Sequence, residues 1–186
     1  MFYSIGDIVV RKPALADASD ALEMLLDPDV VRWNPESSVV DLPSAVEWCR
    51  RGADWQSGAH ATFHVIDTVS GRLLANVSIH AVEISSQSAR IGYRVAPWAR
   101  GQGIGRVTVD AVARWSFARL PLRKIVLIHD VSNDKSCKLA LAAGFGYEGL
   151  AWSRTSDQYG DHEIEHVHER LSTDYVLPLD VVPIFA

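Results

Sequence analysis

At Gly101, Gly103 and Gly105 the hydrophobic period of the chain changes from two to about 3.6 residues. Upstream, "TFHVID", "LLANVSIH" and "SARIGYRVA" read as strands, joined by "TVSGR" and "EISSQ", which have the composition of hairpin turns. Downstream, Ile104, Thr108, Ala111, Val112, Trp115 and Ala118 fall on one face of a helix, while Arg106, Asp110 and Arg114 form a charge ladder on another. A strand meander that feeds a long helix through "RVAPWARGQGIGR" requires a sheet with a helix laid on it.

The flanking segments fit that architecture. Ile8 to Arg11 predicts a short strand. Asp17 stands where an N-cap belongs, ahead of Leu22, Leu25 and Leu26 at helical spacing. "DPDVVRWNPES" reads as a loop because it holds two prolines, with Trp33 exposed. Asp41 followed by Pro43 opens a second helix through about Trp55, with Val46, Trp48 and Cys49 facing the core. "KIVLIH" predicts a buried strand. Ser132 or Asn133 caps a helix that ends at Gly144, and strands at about Tyr147 to Arg154 and Glu163 to Leu171 finish the order. The expected fold class is α/β, an α+β mixed sheet with helices on its faces. The expected organisation is a single domain over 1–186, with 175–186 as a tail docked on its own core.

Composition excludes several functions. With 48% hydrophobic and 22% charged residues and a net charge of −5, the chain as a whole offers nothing to a nucleic acid. No apolar run approaches the roughly 20 residues that span a bilayer, so no membrane is expected, and the N-terminus lacks the features of a signal peptide. Two cysteines, Cys49 and Cys137, are too few for a disulfide framework and suit a cytoplasmic location.

The glycine-rich junction carries the chemistry. Three missing side chains in five positions let backbone N–H groups approach a ligand closely. They lie at a helix N-terminus, where orphan donors and the macrodipole favour a phosphate, with Arg100 and Arg106 adding charge. Tight strand–helix packing explains the glycines equally well. No Gly-Lys-Ser/Thr follows, so this is not a Walker loop. A dinucleotide fingerprint is also excluded, since Arg106 and Val107 stand where its third glycine belongs.

"VAPWARGQGIG" resembles the acetyl-CoA-binding segment of the GNAT N-acetyltransferases, with Arg100, Gly103 and Gly105 on the defining positions. "ARIGYRV" is similar to that family's fourth strand. "NDKSCKLALAAGFGYEG" and "DPDVVRWNP" are similar to segments of its Rim-like branch, the ribosomal-protein-alanine acetyltransferases. The motifs occur in matching order from about Val9 to Asp174. The resemblance implies a GNAT fold, a central and mostly antiparallel sheet of about seven strands flanked by helices. It also implies acetyl-CoA as acetyl donor and no metal.

The same resemblance places the site. The donor's pyrophosphate is expected on the backbone N–H groups of Gln102, Gly103, Ile104, Gly105 and Arg106, beside Arg100 and Gly101. Its pantetheine arm is expected beside Val95, like an added strand, with the Val95 N–H donating to the thioester oxygen. Asn133 is expected to contact the arm, cap its helix, or both. Two departures from the family pattern matter. Where many members carry a Tyr acid, Leu139 is followed by Ala140, so Ser136, one turn earlier, is the candidate donor to the thiolate; otherwise it bonds the cofactor or its own helix. Where many carry a Glu base, Arg90 stands. The base is unassigned, with His80 and Glu83 as candidates beside a water chain or an already neutral amine. Cys137 either touches the donor or is a small buried thiol.

The expected partner is a primary amine acceptor, a protein N-terminus or a small molecule, and a homodimer is left open. The alternative is a non-catalytic acyl-CoA-binding sensor.

One motif points elsewhere. His162-Glu163-Ile164-Glu165-His166 is a literal H-E-x-x-H, which on a helix could hold zinc. Residues 158–161 read as a turn, however, and alternation continues to Leu171. In a strand His162 and His166 stand about 13 Å apart and cannot share an ion. The histidines then form a polar strand face, or His162, Glu163 or Glu165 lines an amine pocket.

Overall fold

The computed structural model describes residues 3–34, 37–156 and 162–174. The proposed tail at 175–186 lies outside them. Eight strands form one sheet in the order β1-β2-β3-β4-β5-β6-β8-β7. They are β1 (Tyr3–Ile5), β2 (Ile8–Arg11), β3 (Ala61–Asp67), β4 (Leu73–Glu83), β5 (Ser88–Val95), β6 (Lys124–Asp130), β7 (Gly146–Ser156) and β8 (His162–Leu171). Every neighbouring pair is antiparallel except β5 with β6. The eighth strand, beyond the seven or so expected, is the short β1 at the sheet edge.

The helices are α1 (Ala18–Leu25), α2 (Pro28–Trp33), α3 (Leu42–Ala53), α4 (Ile104–Arg119) and α5 (Asp134–Ala142). The α3 helix packs on β3, α4 on β4 and β5, and α5 on β6, β7 and β8. Phe63, Val65, Leu73, Ala75, Val77 and Ile79 of β3 and β4 are almost wholly buried. Each large side chain among them contributes about 1.5–3 kcal/mol over an exposed one.

Three local expectations are corrected. The "DPDVVRWNPES" stretch is helical over Pro28–Trp33, because Asp27 accepts from the Val30 N–H at 3.1 Å and Pro28 sits in the first turn, where its missing N–H costs nothing. Trp33 is half-buried rather than exposed. Asp17 precedes α1 but makes no side-chain cap. Its carboxylate instead accepts from Arg11 and from the Ala14 N–H, and lies 2.7 Å from His64 Nδ1 inside the protein. The buried face of α4 keeps Ile104, Thr108 and Val112 of the expected stripe but adds Val109, Ala113 and Ser116, while Ala118 is exposed.

Other signals hold. Asp41 caps α3 by accepting from the Ser44 N–H at 2.9 Å, Asn133 caps α5, and Gly144 takes φ +82° just after α5. Arg100 pairs with Asp27 and, at 3.4 Å, with Asp29, which ties the start of α2 to the glycine junction.

Candidate active site

Strands β5 and β6 pair only where Ser88, Ala89 and Arg90 meet Lys124, Ile125 and Val126. From Ile91 onward the two strands part, and the gap opens a cleft of about 880 Å³. Its walls are Ile91 to Val95 of β5 and Leu127 to Asp130 of β6. The glycine junction, the start of α4, Asp29, Val30, Arg32, Trp33 and Asn34, and the start of α5 complete its lining. Parallel strands that separate after three residues leave backbone groups without ladder partners, which is the geometry an extended ligand can fill.

Val95, Arg100, Gly101, Gly103, Ile104, Gly105, Arg106, Asn133 and Ser136 all line this cleft. Gln102 does not; its side chain turns back and donates to the Trp98 carbonyl at 3.0 Å. Gly103 is the residue before α4, at φ +76°, and offers no side-chain cap. The first N–H groups of a 16-residue helix therefore face the cleft end without intrahelical acceptors. A Cβ on Gly103 would meet nothing within 4 Å, so the space beside it is open. At Gly105 a Cβ would come 2.6 Å from Leu139 Cδ1 and 3.1 Å from Val95 Cγ2. That glycine allows the close approach of β5, α4 and α5, which is the packing reading of the pattern, while the space beside Gly103 is open.

The two arginines differ. Arg100 is engaged by Asp27 and Asp29, so its charge is largely spent on holding the junction to α2. Burial raises the Asp27 carboxyl, but the hydrogen bonds from Arg100 and the Val30 N–H outweigh it and keep Asp27 ionised. Arg106 is exposed at the cleft and has no ion-pair partner among the described residues.

Ser136 is buried at the third position of α5, where its N–H donates to Asn133 Oδ1 at 3.0 Å. The Tyr93 hydroxyl donates to Ser136 Oγ at 3.0 Å. Sequence reasoning missed this phenol. The signal was available, because Tyr93 and Val95 share one face of β5 by the strand period. Burial raises the Tyr93 pKa, against a smaller opposing effect of the Ser136 hydrogen bond, so the phenol stays protonated. A serine that accepts from tyrosine keeps its own O–H to donate, and the pair can pass a proton outward.

Neither His80 nor Glu83 lines the cleft. Glu83 instead accepts from Ser86, and burial lowers the pKa of His80. Glu165 of β8 does line it, with Asp130 and Asp29. The side chains of His162 and Glu163 lie outside the described residues. Arg94 borders both this cleft and a second cavity of about 270 Å³ beside Trp48, His60 and Asn76. Its Nε is buried without a hydrogen-bond partner, and burial lowers its pKa.

Residues 7–146 match the family described as Acetyltransferase (GNAT) domain, three quarters of the chain. The chain belongs to the GNAT acetyltransferase family. The activity that goes with the family is acetyl-CoA-dependent N-acetylation. YdaF of Bacillus subtilis, provisionally named a ribosomal N-acetyltransferase, is 30% identical over 81 residues, which is 44% of this chain and 44% of YdaF. Among solved structures, the ribosomal-protein-S5-alanine acetyltransferase of Vibrio fischeri superposes with a TM-score of 0.81 at 20% identity, covering 95% of this chain and 100% of that one. The spermidine N-acetyltransferase of Vibrio cholerae, solved with CoA and spermine, superposes at 0.76 and 20% identity, covering 91% and 98%. At that identity these structures show the fold alone, and their names point to acceptors as different as a ribosomal protein and a polyamine.

The H-E-x-x-H segment is part of β8, which runs His162–Leu171 in antiparallel register with β6. The strand reading of this motif holds. Among the described residues no helix is long and apolar enough to cross a membrane.

Proposed function

We propose that the chain moves an acetyl group from acetyl-CoA to the primary amine of a protein N-terminus or of a small molecule. The observation that carries this reading is the parting of β5 and β6 beside the uncapped start of α4, with the Tyr93–Ser136 pair inside the gap. In this reading the diphosphate of the donor sits on the N–H groups of Gly103 to Arg106. The arm lies along Ile91 to Val95, and the Val95 N–H polarises the thioester carbonyl.

The amine nitrogen attacks the carbonyl carbon, the C–S bond breaks, and the sulfur leaves with the electron pair. Ser136 supplies its hydroxyl proton to that sulfur and takes the phenol proton of Tyr93 through the hydrogen bond already present, and Tyr93 regains a proton from solvent at the open cleft. The carboxylates of Asp130 and Glu165, both in the cleft lining, favour a cationic amine, and in this reading Glu165 takes its proton.

The test is CoA-thiol release on a panel of acceptors, including peptides with free N-terminal alanine or serine, spermidine and small aminoglycosides. Turnover on at least one class, with acetylation of its primary amine shown by mass, is expected. Tight acetyl-CoA binding with no turnover on any of them would instead favour a non-catalytic acyl-CoA sensor.

A further inference from the structure

Four donor side chains that acetyl transfer does not account for meet at the β6 wall of the cleft, which includes His129. His129 closes β6 and stands opposite His166 of β8 in the antiparallel register. His168 is two residues along, on the same face of β8. Cys137 comes down on them from α5. One donor atom from each of His129, Cys137, His166 and His168 can be chosen so that all lie within 4.8 Å of one another. The His129 and His168 rings stack at 5.2 Å, and their Nε2 atoms are 3.1 Å apart. His166 meets His129 edge to face, also at 5.2 Å.

The protons in this group are placed for ligation. His129 Nδ1 lies 2.8 Å from the Asp130 carbonyl, which can only accept, so that nitrogen carries the proton and Nε2 presents a lone pair. A histidine whose one nitrogen donates to a backbone carbonyl, leaving a lone pair on the other, has the usual orientation of a metal ligand. Meanwhile Nδ1 of His166 and Nδ1 of His168 are buried with no hydrogen-bond partner. Packed imidazoles gain some ring contact, but unpaired buried nitrogens are costly.

We propose that His129, Cys137, His166 and His168 bind one zinc-class divalent ion that clips α5 to β6 and β8. Three imidazoles and a thiolate are the donor set of a tetrahedral site for zinc or cobalt, whereas calcium and magnesium want oxygen. Around an ion at about 2.0–2.3 Å, donors stand roughly 3.3–3.8 Å apart, so the group has to contract slightly on binding. The Cys137 thiol gives up its proton to solvent as the Cys137 sulfur–metal bond forms.

Four protein ligands leave no open position for water, so the ion is structural and takes no part in acetyl transfer. Ser136 precedes Cys137 in α5, and a clip at Cys137 would hold Ser136 in register with Tyr93. Of the H-E-x-x-H histidines the site uses His166 and not its spacing from His162. This is why the motif failed as a zinc peptidase signature while one of its residues still binds metal.

Cobalt titration into the full chain, freed of metal by chelation and kept reduced, tests the site. About one cobalt per chain is expected, with the intense visible bands of a tetrahedral ion and a thiolate charge-transfer band. Cys137→Ser should remove the charge-transfer band, and His129→Gln should weaken cobalt binding at least tenfold. Cys49→Ser should change neither, because that thiol is fully buried elsewhere and burial pushes its pKa up to about 11.

Should a variant fail to fold, the unaltered chain still decides the question. Zinc alone should slow alkylation of Cys137 at least tenfold and raise the melting temperature. No cobalt spectrum and no protection by zinc would overturn the proposal, as would full binding that survives loss of Cys137 and His129.

Discussion

The Tyr93 hydroxyl donates to Ser136 Oγ at 3.0 Å, joining a strand and a helix 43 residues apart in the chain at the wall of the cleft. The phenol reaches the site from β5 and not from α5, where Ala140 follows Leu139. A departing thiolate is stabilised by a donor only as its bond to carbon breaks, so such a donor acts on the transition state. Ser136→Ala should lower kcat on the order of tenfold to a hundredfold and leave the KM for acetyl-CoA nearly unchanged. Tyr93→Phe should lower it by less. The double variant should fall short of the product of the two losses, because the pair acts as a unit. A raised KM with unchanged kcat in Ser136→Ala would make the serine a binding residue.

Gly103→Val should abolish the rise in melting temperature that acetyl-CoA produces. The residue sits at φ +76°, where a β-branched side chain costs about 1–2 kcal/mol, and its side chain would project into the open space at the helix start. Stability in the absence of acetyl-CoA should fall by that amount alone. Retained affinity would remove the diphosphate from this helix end.

Arg106→Ala should weaken acetyl-CoA binding more than Arg100→Ala does. Arg106 is exposed at the cleft without an ion-pair partner among the described residues, while Arg100 is occupied by Asp27 and Asp29. The Arg100 variant should instead lose about 1 kcal/mol or less of stability, since Arg100 is 32% exposed and water screens the pair. Affinities measured by calorimetry at low and high salt decide between them, and the reverse order would assign the diphosphate to Arg100.

Stability should fall as pH falls from neutrality. Burial lowers the His64 pKa despite its contact with Asp17, so the ring is held neutral in the fold. The contribution of a histidine held neutral is complete above the unfolded value of about 6.5 and is lost below it. For Asp17, burial opposes ionisation, but the His64 and Arg11 hydrogen bonds outweigh it and hold the carboxyl far below its usual range. That contribution is complete above about 3.9 and is lost only as pH falls toward the depressed value. Melting temperatures between pH 7.5 and 4.5 should therefore decline by several degrees, with a shallower slope in His64→Gln. A flat or rising profile would contradict the buried pair.

Most elements were legible because each is written locally. The 3.6-residue stripe after Gly105, the alternation in β3 to β5, the Asp41 and Asn133 caps and the Gly144 stop are all read within one helical turn or one strand. The α2 helix was misread since Pro28 and Pro35 look like breakers, although proline in a first turn breaks nothing. Asp17 was misread for the complementary reason. A carboxylate ahead of an apolar stripe looks like a cap, and only the arrival of His64 and Arg11 from β3 and β2 gives it stronger partners.

The glycine junction, the helix behind it and the strand ahead of it follow from spacing and backbone sterics, and so does the anion-favouring start of α4. Where β5 leaves β6 does not. It depends on where a parallel ladder stops, with α4 packed against β5 and α5 against β6. The same holds for Tyr93 against Ser136, for Arg100 against α2, and for three histidines and a cysteine spread over residues 129–168. Backbone preferences act over a few residues and can be read in order. Pairings between distant side chains depend on the global placement of strands and helices, which no short window of sequence encodes.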